Sequence, residues 1–281
     1  MVTVRANPLP LLTGLVLLTA CSGGGGSAPS AAAPSPARSS IPAPSASSTP
    51  PSTPSTPPSS SPPNAGKVIV LDPGHNGGNS THPGEINRKV PAGRGETKPC
   101  NTTGTSTNAG YPEHAFTFAI AQEVGNALAA KGIRVVYTRS DDSGTGPCVD
   151  KRAEIGNSAE ADAVVSIHAD GATAASAHGF HVAYSSPALN AAQGEPSLEL
   201  ARTMRNTLRD NGFATSTYVG SAGLSARSDL AGLNLSTRPS VLVECGNMRN
   251  ATEAARMSSD IGRTRYAEAI TQAIEDYLTS S

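Results

Sequence analysis

Val68-Ile69-Val70-Leu71, running on into Asp72-Pro73-Gly74-His75, is a short β-branched apolar segment that ends in a turn and a histidine. Ile133-Arg134-Val135-Val136-Tyr137, Ala163-Val164-Val165-Ser166-Ile167 and Val241-Leu242-Val243 are segments of the same kind. Short apolar runs rich in β-branched residues are expected of strands covered on both faces. Helical patterns lie between them. Phe116, Ile120, Val124 and Leu128 recur every four residues before Gly132, and Leu198 to Leu208 and Tyr266 to Leu278 show the same period. Strands alternating with helices predict an α/β fold, a mostly parallel, twisted central sheet flanked by helices, in a single domain over residues 67–279.

The preceding residues have a different composition. Arg5, an apolar run from Leu11 to Leu18 and then Thr19-Ala20-Cys21 have the length and order of a secretory signal peptide, and the run is too short to span a bilayer. Residues 1–21 are therefore expected to direct export. Leu18-Thr19-Ala20-Cys21 also resembles a bacterial lipobox, which implies a lipid anchor on Cys21. Residues 22–66, dominated by Pro, Ser, Ala, Gly and Thr, lack the apolar surface to offset ordering entropy and read as a disordered linker. Such a proline-rich tract would reach on the order of 100 Å at about 3.1 Å per residue. A net charge of −1 supplies no electrostatic footprint for nucleic acid.

In open α/β sheets, ligands sit beyond the carboxyl ends of the strands. His75 follows the first strand, His168 closes Ala163–Ile167 and Glu244 closes Val241–Val243. Glu113 opens the helix that contains Phe116, just after Pro112, a residue favoured at helix starts. Two imidazoles and one carboxylate with a fourth position open to water form a catalytic zinc arrangement, so His75, Glu113 and His168 are the expected ligands of one Zn2+ per chain. A carboxylate placed directly after an apolar strand is costly to desolvate unless it has work there, and Glu244 is the expected general base.

These residues also carry a family likeness. Val70-Leu71-Asp72-Pro73-Gly74-His75, Glu113 opening a helix, Ser166-Ile167-His168-Ala169-Asp170 and Arg238-Pro239-Ser240-Val241-Leu242-Val243-Glu244, with Asn250 beyond, resemble the successive motifs of the zinc-dependent N-acetylmuramoyl-L-alanine amidases of the amidase-3 type. The likeness covers about residues 67–279 and includes Tyr137-Thr138-Arg139 and Arg152 to Asn157. It implies the same metal ligands and the same glutamate base. It also implies the reaction, hydrolysis of the amide between N-acetylmuramic acid and the L-alanine of the stem peptide. The implied partners are peptidoglycan and muropeptides, in the periplasm or cell wall. Two other readings use the same residues: a zinc peptidase or deacetylase of the wall, and a non-catalytic peptidoglycan-binding lipoprotein with a structural metal. Structural zinc sites are normally closed by four protein ligands, whereas three plus a base are found here.

Other histidines are weighed and set aside. His114 neighbours Glu113 on a helix and should point about 100° away from it. His82 also lies near the ligands in sequence and is not expected to hold a second metal, and His178 and His181 are expected to line the groove or sit on the surface. Gly74, Gly77 and Gly78 lack a P-loop lysine or a full dinucleotide fingerprint and suit a tight turn. With Cys21 blocked by lipid, Cys100–Cys148 is the expected disulfide, and Cys245, beside Glu244 on a buried strand, the expected free thiol. Asn76 to Tyr111, rich in Gly, Asn and Thr, is longer than the usual family connection and is expected to form a loop or hairpin flap beside the site.

Overall fold

The computed structural model describes residues 64–280. The signal segment, Cys21 and the linker up to residue 63 lie outside the described residues. The chain runs β1 (Val68–Pro73), α1 (Pro83–Ile86), β2 (Lys89–Gly93), β3 (Glu96–Pro99), α2 (Glu113–Ala129), β4 (Arg134–Tyr137), α3 (Val149–Ser158) and β5 (Ala163–Asp170). It continues through β6 (His181–Ser185), α4 (Glu195–Asp210), β7 (Leu224–Arg227), α5 (Ala231–Asn234), β8 (Ser240–Asn247), α6 (Ala251–Ser258) and α7 (Asp260–Ser280). A six-stranded sheet has the order β4-β1-β5-β8-β6-β7, and β2 and β3 form a separate hairpin. The pairs β4·β1, β1·β5, β5·β8 and β6·β7 are parallel, and β6·β8 is antiparallel. The α/β fold with its mostly parallel sheet is the one expected.

Alternation along the strands gives the sheet two different faces. Ile69, Leu71, Val165, Ile167, Val241, Val243 and Cys245 are buried in one continuous core with Phe116, Ile120, Val124 and Leu128 of α2 and with Tyr266, Ile270 and Ile274 of α7. Tyr266 meets Phe116 edge-on at 5.7 Å and stacks on Phe213 at 4.4 Å, both favourable ring geometries. The opposite face holds a much smaller cluster of Val70, Ala161 and Val164 with Ile155 packed against it. This thin face is partly covered by α3 and α5. Ser166, His168, Leu242 and Glu244 share it by the same two-residue period, and a groove of about 400 Å³ opens there.

The strands run further than their apolar runs suggest. β5 extends past His168 to Asp170, and β8 past Glu244 to Asn247. Pairing sustains the extension: His168 lies in register with Glu244, and Asp170 with Asn247 beyond a bulge. The two residues therefore stand side by side on adjacent strands.

Candidate metal centre

His75 lies two residues past the end of β1, in the left-handed region with φ 61°. Few non-glycine residues adopt that conformation, and it is held here by contacts on every side. Arg139 donates to the Pro73 carbonyl at 2.9 Å and Thr117 to that of Gly74 at 2.8 Å. Arg152 donates to the carbonyls of Pro73 at 2.7 Å and His75 at 2.8 Å, and to the Asp72 carboxylate at 2.8 Å. Asp72 also accepts from Thr138 and Ser166, both at 2.6 Å. Burial alone would raise the Asp72 carboxyl; Arg152 and the two hydroxyls outweigh it and hold the group at about 2. Gly74 is required by proximity, because a Cβ there would stand 2.3 Å from the His168 ring.

The His75 ring is oriented from its far side. Its Nδ1 lies 2.9 Å from the Thr102 carbonyl, which only accepts, so Nδ1 carries the hydrogen. The Nε2 lone pair then faces Glu113 Oε1 at 3.1 Å. His168 Nδ1 lies 3.0 Å from the same oxygen, with the two rings edge to face at 4.8 Å. Glu113, buried at the first position of α2, accepts from the Ala169 amide at 3.1 Å through Oε1 and from the Thr105 amide at 2.9 Å through Oε2. Burial would raise its carboxyl, yet His75 and His168 keep it well below the usual range. His75 is moved the other way: burial would lower it, and the Glu113 charge raises it on balance.

The donor set fits a metal. Ligand atoms of His75, Glu113 and His168 all lie within 4.8 Å of one another. Donors at 2.0–2.1 Å on a tetrahedral ion stand about 3.3 Å apart, close to the 3.1 and 3.0 Å that separate the imidazole nitrogens of His75 and His168 from Glu113 Oε1. Glu244 sits beside them, half-buried on β8, and its Oε2 is buried with no hydrogen-bond partner among the described residues. Burial pushes its carboxyl well above the ordinary value, and the neighbouring charges of Asp170 and Glu113 push in the same direction. An unpartnered carboxylate facing a groove is a group suited to taking up a proton.

The four residues singled out from the sequence thus meet in one place. The other histidines do not join them. His114 Nδ1 pairs with Asp142 at 2.7 Å, His82 Nδ1 lies 2.8 Å from the Gly78 carbonyl, and His178 Nδ1 lies 2.9 Å from that of Ser176. His181 is buried 3.5 Å from Asp170, which also accepts from the Tyr218 hydroxyl at 2.8 Å. Sequence reading did not pick out the supporting roles of Thr102, Thr105, Asp72 and Arg152. The first two act largely through backbone atoms, which leave no side-chain signature. Cys100 and Cys148 are joined, and Cys245 is free and buried.

The sequence profile of the N-acetylmuramoyl-L-alanine amidase family, amidase-3 type, matches residues 69–276. The chain belongs to this family. It is similar to the N-acetylmuramoyl-L-alanine amidase Rv3717 of Mycobacterium tuberculosis, 49% identical over 216 residues that cover 77% of this chain and 88% of that protein. The crystal structure of the amidase Ami1 from Mycobacterium smegmatis is similar at 51% identity and a TM-score of 0.75, over 77% of this chain and 99% of the other. Apo Ami1 from Mycobacterium abscessus is similar at 55% identity and a TM-score of 0.74, over 76% and 99%.

Proposed function

We propose that the chain is a peptidoglycan amidase that hydrolyses the bond between the lactyl group of N-acetylmuramic acid and the L-alanine of the stem peptide. The proposal assigns His75, Glu113 and His168 as ligands of one zinc ion and Glu244 as general base. The observation that carries it is the convergence of the three donors beside a partnerless carboxylate in one groove of an amidase-3 fold. When bound, zinc supplies a Lewis acid and lowers the pKa of water to about 7. Glu244 takes the proton from the attacking water and returns it to the departing L-alanine amine. Burial, with the neighbouring charges of Asp170 and Glu113, raises the proton affinity of Glu244 and so favours the first transfer. Thr102 and Thr105 orient His75 and Glu113 through their backbones.

The same reading places the enzyme outside the cytoplasmic membrane, in the periplasm or cell wall, tethered through a lipid on Cys21 and the linker 22–66. No helix among the described residues is long and apolar enough to cross a membrane. The assignment of roles is tested by Glu244→Gln, which removes the base and leaves the three ligands. Metal analysis should find zinc retained and turnover down by about 10² to 10⁴-fold. Loss of zinc with Glu244→Gln, together with full activity in Glu113→Gln, would show the two glutamates exchanged.

A further inference from the structure

Among the residues lining the groove, the lysine and arginine are Lys98 and Arg152. Arg152 has its donors committed to Asp72, Pro73, His75 and Pro147. Lys98 does not. It stands half-buried on β3, and its ammonium makes one hydrogen bond, to the Asp229 carbonyl at 3.2 Å. The Asp229 carboxylate is already clasped by both faces of the Arg227 fork, at 2.7 and 2.6 Å. Among the described residues no carboxylate lies within ion-pair distance of Lys98. An ammonium has three donors, so two are left unused by the protein. Burial lowers its pKa against the opposing charge of the Asp229 carboxylate, and the Arg227 charge lowers it further. At the metal end the lining is acidic instead, with Glu113, Asp170 and Glu244.

The hairpin that carries Lys98 is anchored at several points. Cys100, two residues on, is disulfide-bonded to Cys148, and Arg94 across the hairpin turn reaches Ser185 at 3.2 Å and Asn234 at 3.3 Å. Thr102 and Thr105, a few residues further, bond the metal ligands themselves. Lys98 thus stands on the hairpin wall of the same groove that His75, Glu113, His168 and Glu244 line. In a muramoyl peptide the lactyl carboxyl is taken up in the amide, so the sugar carries no formal charge, whereas the peptide ends in a carboxylate.

Resting on the amidase reading above, we propose that Lys98 is a specificity-determining residue that binds a free carboxylate on the peptide part of the substrate. A bare structural tether to Asp229 would act on every substrate alike, and this difference supplies the test. Two muramoyl peptides that begin with L-alanine are compared, one ending in a free carboxylate and one in the isosteric carboxamide, using zinc-loaded wild type, Lys98→Met and Lys98→Arg. The wild type should favour the carboxylate through KM. Lys98→Met should raise KM for that substrate about tenfold, the loss of one charge-assisted contact, with kcat and the carboxamide KM unchanged. Lys98→Arg should restore most of the difference. Equal KM changes on both substrates, or none on either, overturn the role of Lys98 while leaving the amidase reading intact. Cleavage of neither substrate by the wild type would overturn that reading and this proposal with it.

Discussion

Asp72 shows how a side chain that touches no ligand atom governs the site. Its carboxylate accepts from Thr138, Ser166 and Arg152, and Arg152 in turn holds the carbonyls of Pro73 and His75. In the unfolded chain the carboxyl titrates near its ordinary value of 3.8; in the fold it is held at about 2. A depressed carboxyl contributes stability that is full above the unfolded value and is lost as pH falls from about 4 towards 2. The contribution is about 2 kcal/mol. Asp72→Asn should remove this acid-sensitive increment and, by leaving Arg152 buried without its carboxylate, cost about 3 kcal/mol at neutral pH. Denaturant midpoints at pH 7 and pH 3 check both statements. Equal losses of stability on acidification in the two proteins would contradict them. At this scale the sequence disclosed the four residues that the fold brings together, since each is a metal-type or acid–base side chain following an apolar run or opening a helix. The roles of Asp72 and Arg152, which stand within the segments that carry the likeness, and of Lys98 were hidden, because what marks them is the partner they have or lack across the fold.

Among the elements, the segment after the hairpin connects sequence to site most directly. The long Asn76 to Tyr111 connection folds as α1 and the β2–β3 hairpin, and then as the strip Asn101 to Thr105 that orients His75 and Glu113. The disulfide, which spans a sequence separation of 48, fastens this strip to the N-terminus of α3. In the chain-entropy account a closure of that length is worth about 4 kcal/mol. Replacing Cys100 and Cys148 together by serine should lower Tm by roughly 8–16 °C, at about 2–4 °C per kcal/mol for a domain of this size. Zinc affinity should fall as well, because the strip that sets the ligand rings loses its fastening. Thermal melts and zinc titration read the two effects, and an unchanged Tm would remove the disulfide from the account. Strands β1, β4, β5 and β8 were recognisable from their apolar runs. β7, Leu224-Ser225-Ala226-Arg227, was not, since an edge strand with polar residues has no such signature. The antiparallel turn of β6 onto β8 was equally hidden, for register and direction depend on pairing and not on composition.

Across the whole molecule, one sheet face is given to packing and the other to chemistry. Helices α2, α4 and α7 build the large core on the first, which leaves β5 and β8 free to present His168 and Glu244 on the second. The alternation of apolar and functional residues in Val165-Ser166-Ile167-His168 and Val241-Leu242-Val243-Glu244 already encodes that division. Membership of the amidase family then points to one reaction at one bond. A zinc peptidase or deacetylase of the wall built on the proposed ligands and base would differ only in the bond it breaks. Mass spectrometry of muropeptides digested by the zinc-loaded protein distinguishes them directly. The account predicts intact N-acetylated glycan together with a stem peptide released with a free L-alanine amine. Fragments cut within the peptide, or sugars that have lost their acetyl groups, would contradict it.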